Sequence, residues 1–324
     1  MELKRRSTIR FILVAGAFTF CPSLFSRPLE DERQDFVIRS DVRLVLLDVS
    51  VKNRAGAPVS GLVREQFRVF ENGKPQKITE FANNDVPVTV GLVVDESFSM
   101  KPKRAEVITA ASTFITESNP KDEIFVLNFN DTVKRGLPPG ELFSDDIAKL
   151  RFALFRGVPE GKTALHDAVL DGLQQLRQGR RDKKTLVVIS DGGDNASRHT
   201  RRELIDAVQR SIATIYTIGL FTEDDPDRDP GLLARLAHIS GGEAYLPRHL
   251  DEMVPVCRRI ARDIRARYTV GYIPPPSKGR GELRHIRVEV SAPENGRLIA
   301  HTRTSYWYGE EPETGSEDRR PGND

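Results

Sequence analysis

Cysteine is almost missing from this 324-residue chain, which has two, Cys21 and Cys257. That excludes a disulfide framework and a thiolate-rich metal cluster. Excess charge of one sign is missing too: 49 Lys and Arg face 47 Asp and Glu, for a net charge of +2. A nucleic-acid-binding surface is therefore not indicated by charge. No apolar run is long enough for a membrane-spanning helix. Glycine-rich phosphate loops, nucleophile elbows, paired catalytic carboxylates and internal repeats are likewise absent from the sequence. The common signatures of catalysis are thus missing, and the expectation is a protein that is not an enzyme.

What remains is a composition of 38% hydrophobic and 30% charged residues, that of a soluble globular protein, in a chain long enough for two domains. Lys4, Arg5, Arg6 and Arg10 precede a short apolar run from Phe11 to Phe20, the arrangement of a secretory signal peptide. Residues 1–26 are read as that signal, with cleavage after Ser26. The alternatives are an uncleaved N-terminal membrane anchor and, less well matched because Phe20 precedes it, a lipoprotein at Cys21. Export to the periplasm or the medium is expected, without membrane insertion after cleavage. Cys257 falls on the apolar stripe Met253, Val254, Ile260, Ala261, Ile264 and reads as a core thiol.

After a charged spacer (27–40), residues 41–85 form a β-rich segment. Val45, Leu47, Val49 and Val51 alternate with more polar residues, and Asn72-Gly73 signals a hairpin. From Val88 the pattern changes to alternating strands and helices over 86–267, which predicts a doubly wound, mostly parallel sheet. Thr200 to Glu203 is a capping box, and Asp229-Pro230 opens a helix that closes at Gly241-Gly242. Residues 268–308 return to alternation and have too little core to stand alone. They are expected to pair with 41–85, so that the N- and C-terminal segments form one small β-sandwich-like domain flanking the α/β unit. The tail 309–324 is expected to be disordered.

The chain is organised around Val88 to Met100, VTVGLVVDESFSM. Its apolar half suits a strand buried on both faces, and Asp95, Ser97 and Ser99 at its end can turn three oxygens toward one point. Thr163 opens a later helix, and Asp191 ends a second buried run, Leu186 to Ile189. DxSxS followed by a later Thr and a strand-end Asp resembles the metal-ion-dependent adhesion site of the von Willebrand factor A domain family. With Tyr268-Thr269-Val270-Gly271-Tyr272, the chain is similar to bacterial VWFA-related domain proteins over roughly residues 36–308. The resemblance implies Asp95, Ser97, Ser99, Thr163 and Asp191 as metal ligands. The hydroxyls would bind directly and the aspartates mostly through water. Mg²⁺ is the implied cofactor, with Mn²⁺ or Ca²⁺ as alternatives, since hard cations take oxygen ligands. The implied partner is a protein presenting an Asp or Glu to complete the coordination.

Other readings stay open. Ser97 and Ser99 could merely cap the following helix. The metal could activate water in a hydrolase with Glu96 or His166 as base, or stabilise a structural component of an envelope assembly. Glu96, an unusual residue inside the motif, is expected to face solvent, and His166 to make a polar contact at its helix start. Asp225, Asp227 and Asp229 have calcium-loop spacing but lack the turn glycine and the final Glu, so an acidic loop is the reading. Arg258, Arg259, Arg262, Arg265 and Arg267 are expected to form a basic face paired with nearby acids.

Overall fold

The computed structural model describes residues 44–221, 227–276 and 281–309. The signal segment, the spacer, Asp225 and all but the first residue of the tail lie outside the described residues. Strand β1 (Val45–Lys52) is followed by β2 (Phe67–Glu71), β3 (Lys74–Gln76) and β4 (Ile78–Ala82). Asn72 and Gly73 join β2 to β3 with φ of 48° and 77°, a pair of positive values that Asn-Gly tolerates and a two-residue hairpin requires.

The α/β unit runs through β5 (Thr89–Asp95), α1 (Arg104–Glu117), β6 (Glu123–Phe129) and β7 (Val133–Arg135). Then come α2 (Ile147–Phe155), α3 (Leu165–Arg177), β8 (Lys184–Ser190) and α4 (Arg201–Arg210). It closes with β9 (Thr214–Gly219), α5 (Pro230–Ser240), β10 (Ala244–Tyr245) and α6 (Met253–Arg265). The sheet order is β10-β9-β8-β5-β6-β7, parallel except for the antiparallel edge strand β7. Helices α1, α2 and α6 pack together, as do α3, α4 and α5, so both faces are covered. Every residue of β5 is buried, which is why its sequence is apolar without alternation. Cys257 is fully buried, and burial pushes its thiol up to about 12. Among the described residues no helix is long and apolar enough to cross a membrane.

The last strands are β11 (Tyr268–Tyr272), β12 (Glu282–Val290), β13 (Ile299–His301) and β14 (Ser305–Tyr308). They join the N-terminal strands in two four-stranded sheets, β13-β1-β11-β4 and β14-β12-β2-β3. Each sheet mixes both flanks: Leu47 lies opposite Val270, and Val69 opposite Val288. Leu47, Val49, Phe67, Val69, Tyr268 and Val270 share one apolar core, separate from that of the α/β unit. This is the expected α/β fold with a flanking sandwich built from the two ends of the described chain.

The basic face of α6 needs one correction. Arg258 pairs with Glu117 at 3.1 Å and Arg265 with Asp85 at 2.7 Å. Arg267, however, is buried, because it lies beyond the helix at the turn into β11. There it donates to Tyr216 Oη (2.8 Å) and to the carbonyls of Gly241 (2.8 Å) and Asp48 (3.0 Å). Asp263 accepts from Ser50 Oγ (2.5 Å) and from Tyr216 Oη, joining β1 of the sandwich to the α/β unit.

Candidate metal centre

Strands β5 and β8 are adjacent and parallel, with Val94 opposite Ile189, so their carboxyl ends emerge side by side. From β5 the chain builds outward through β6 and β7, then returns to β8 on the other side. The two ends therefore flank the switch point at which open α/β sheets bind ligands.

Asp95 closes β5. Its Oδ1 accepts from the backbone of Ser97 (2.8 Å) and its Oδ2 from Ser190 Oγ (2.6 Å). Ser97 Oγ lies 3.1 Å from Ser99 Oγ, and Ser99 Oγ donates to Asp191 Oδ2 at 2.5 Å. Asp191 Oδ1 in turn accepts from the backbone of Gly193 (3.2 Å). Asp95, Ser97, Ser99 and Asp191 are thus joined in one chain of contacts, with Ser190 between the two strand ends. Ser97 precedes a 3₁₀ turn, Phe98–Lys103, without making a side-chain capping bond. Capping alone does not account for its position.

Thr163 sits in the loop before α3 and is buried. Phe98 N donates to the Gly161 carbonyl (3.1 Å) and Glu160 N to that of Glu96 (2.9 Å), tying the loop to the exit of β5. On its other side, Thr163 N donates to Asn195 Oδ1 (2.9 Å), and its carbonyl accepts from Asn195 N (2.9 Å). The loop thereby bridges the exits of β5 and β8. Gly161 makes that path possible: its φ is 78°, and a Cβ there would stand 1.8 Å from Asp131 Oδ2.

Two buried carboxylates this close cannot both ionise freely. Burial, reinforced by the charge of Asp191, pushes Asp95 up to about 7, although Ser190 and Ser97 donate hydrogen bonds that pull the other way. A cation beside these oxygens would remove that penalty. The donors are hydroxyls and carboxylates, the oxygen set that hard divalent ions take. Among the described residues no group of three or more His, Cys, Asp or Glu could hold a metal. Any metal here depends on the hydroxyls. The residues present fit the ion the resemblance implies.

Glu96 departs from expectation. It is buried, not solvent-facing, and its Oε2 accepts from Arg104 Nε at 3.0 Å. Arg104 also donates to the carbonyls of Phe155 (3.1 Å) and Gly157 (2.8 Å). The Glu96–Arg104 pair thereby clasps the loop leading to Thr163, and burial raises the Glu96 carboxyl despite Arg104. His166 lies near α3's start, its Nδ1 3.1 Å from Asp194 and 3.0 Å from the His199 carbonyl. Asp229 caps α5 and pairs with Arg201 (2.7 Å), while Asp227 accepts from Asn195 (2.8 Å). Sequence reasoning missed Ser190 and Asn195; the only available signal was a hydroxyl immediately before the strand-end aspartate.

Residues 90–193 match the family model described as von Willebrand factor type A domain. None of the curated proteins matches the chain. Similar solved structures include a von Willebrand factor type A protein from Catenulispora acidiphila, 14% identical, with 84% of this chain and 77% of that chain covered and a TM-score of 0.50. The vWF domain of the type V pili tip protein Mfa5 from Porphyromonas gingivalis is 14% identical over 56% of this chain and 96% of that one, with a TM-score of 0.47. Proximal thread matrix protein 1 from the mussel byssus, with a zinc-occupied MIDAS motif, is 13% identical over 61% and 50%, with a TM-score of 0.48. At such identity the first likeness shows the fold alone.

Proposed function

We propose that the chain, whose residues 90–193 match the von Willebrand factor type A domain model, is an exported, metal-dependent protein-binding module. The observation that carries the reading is the convergence of Ser97, Ser99 and Asp191 with Asp95 at the switch point, under a charge penalty that a cation would relieve. Asp95, Ser97, Ser99, Thr163 and Asp191 would hold a divalent ion, Mg²⁺ by preference. When bound, the ion supplies an electrophilic position that an Asp or Glu of a partner protein completes.

The chain's own residues do the rest. Asp95 is oriented by Ser190 and by the Ser97 backbone, and Asp191 by the Gly193 backbone. Binding is favoured over hydrolysis because the side-chain hydrogen bonds of Glu96 and His166 run to Arg104 and to the His199 carbonyl, not to the hydroxyl cluster. Glu96 is clasped by Arg104, and His166 is held by Asp194 and the His199 carbonyl. Export rests on the N-terminal sequence and predicts that the chain isolated from its producing cells begins near Arg27.

The test is a calorimetric titration of the full chain with MnCl₂ and MgCl₂, repeated on Asp191→Ala and Ser99→Ala. Saturable binding that both substitutions weaken supports the reading. Equal affinity in all three proteins, or none in any, sinks it.

A further inference from the structure

Beside the centre, four large apolar side chains face solvent: Phe98 is 68% exposed, Phe152 63%, Phe155 59% and Val158 52%. Exposed apolar residues scattered singly need no explanation, but a patch beside a binding site does. Backbone contacts tie the turn that carries Phe98 to the stretch that follows α2. Phe98 N binds the Gly161 carbonyl, and Arg104, on the α1 side of the same turn, binds the carbonyls of Phe155 and Gly157. Phe98 itself stands between Ser97 and Ser99. Whatever covers Phe98 therefore meets the turn that carries the two serines.

The same two stretches are positively charged. Lys101, Arg151, Arg156 and Lys162 are exposed beside one exposed acid of these stretches, Glu160, and a second, Asp131, that accepts from the Lys162 backbone (3.2 Å), while Glu96 is buried against Arg104. Lys101 Nζ lies 5.9 Å from the Phe98 ring centroid, so a cation sits on the aromatic rim itself. The charge complements an acidic ligand, and the apolar side chains require an apolar one.

We propose that the rim of Phe98, Phe152, Phe155 and Val158, with Lys101 and Lys162, is a docking surface for a polypeptide segment whose Asp or Glu is flanked by bulky apolar side chains. The proposal rests on the metal-site reading and specifies its partner. Buried aromatic anchors around a desolvated charged contact are the usual source of interface affinity. A membrane of anionic lipid would also match aromatic and basic residues. The polypeptide is favoured because Phe98 is flanked by the two serines of a site suited to a carboxylate.

The experiment is a selection of random dodecamer peptides displayed on phage against the full chain, with Mn²⁺ or with EDTA. Metal-dependent enrichment of peptides carrying an acid within two residues of Phe, Leu, Ile, Trp or Tyr is expected. A synthetic peptide from that set should bind about tenfold more weakly to Phe155→Ser and Phe152→Ser, the loss of one apolar anchor each. Their Mn²⁺ affinity is measured alongside. Enriched acids without apolar neighbours, or a peptide indifferent to both substitutions, would overturn the rim while leaving the metal site intact. Enrichment that ignores metal, or none, also overturns it; a chain that shows no Mn²⁺ binding at all locates the failure in the metal site. Sedimentation with phosphatidylserine vesicles forms a third arm, and binding there that Phe155→Ser abolishes, without peptide enrichment, replaces the polypeptide with a lipid surface.

Discussion

Ser99 Oγ lies 2.5 Å from Asp191 Oδ2, joining the exits of β5 and β8 across 92 residues of sequence. A second contact spans the same two exits: Ser190 Oγ donates to Asp95 Oδ2 at 2.6 Å and holds the other carboxylate in place. Ser190 is fully buried and is not itself among the proposed ligands. Ser190→Ala should therefore reduce Mn²⁺ affinity by about 10- to 100-fold, the usual cost of losing a partner that orients a ligand. Calorimetry checks the loss, and an unchanged affinity would mean that Asp95 needs no support from β8.

The raised Asp95 carboxyl makes the centre's stability depend on pH. Its ordinary value is 3.8 and its folded value about 7, so between those limits the metal-free native state binds more protons than the unfolded chain. Stability from this group is then greatest at low pH, falls as pH rises from about 4 to about 7, and is level above that. A cation must displace the proton. The rise in melting temperature on adding Mg²⁺ should be largest at pH 8 and shrink steadily toward pH 5. Melting curves with Mg²⁺ and with EDTA across that range test this, and an equal rise at both ends would contradict it.

Much of the fold was legible because its signals are local. The apolar runs of β5 and β8, the Asn72-Gly73 turn and the Thr200–Glu203 capping box each act within a few residues. The pairing of the flanking segments followed from a deficit: residues 268–308 have too little core to stand alone. What escaped depends on distant contacts. Glu96 is buried because Arg104 and the Gly157 loop close over it, and no pattern near Glu96 announces that. Arg267 reads as one more surface arginine until β1, β9 and β13 converge on it. The five proposed ligands were nameable through the resemblance of their motif to the metal-ion-dependent adhesion site, while Ser190, the last residue of β8, belongs to no such motif.

Gly91 is a glycine in the middle of the central strand, where glycine ordinarily weakens the sheet. A Cβ there would stand 2.3 Å from Phe125 Cζ and 2.6 Å from Leu186 Cδ1. The missing side chain is what lets the neighbouring residues of β6 and β8 close over β5. Gly91→Ala should destabilise the chain by about 1–3 kcal/mol through overpacking. Urea unfolding measures it, and a neutral result would mean that Phe125 and Leu186 can move aside.

Arg267 joins the two cores, since its guanidinium reaches the carbonyl of Asp48 in the sandwich and both Tyr216 Oη and the Gly241 carbonyl in the α/β unit. Its neighbour Asp263 binds Ser50 on one side and Tyr216 on the other. Both side chains are 2% exposed, and the cation faces the anion at 4.0 Å. Asp263 also faces the buried Lys52 at 3.5 Å, so removing Arg267 leaves the aspartate a partner, whereas removing Asp263 strips Arg267 of the carboxylate beside it, a loss that costs about 3–5 kcal/mol. Asp263→Ala should lower stability by that amount, Arg267→Ala should lower it too through its lost hydrogen bonds, and the double substitution should cost less than the sum, because the two groups face each other. The two units share these groups, so the loss should appear as one unfolding transition at lower denaturant. If the α/β unit kept its original midpoint while the sandwich melted separately, the network would be a local contact and not the bond that makes the two units unfold together.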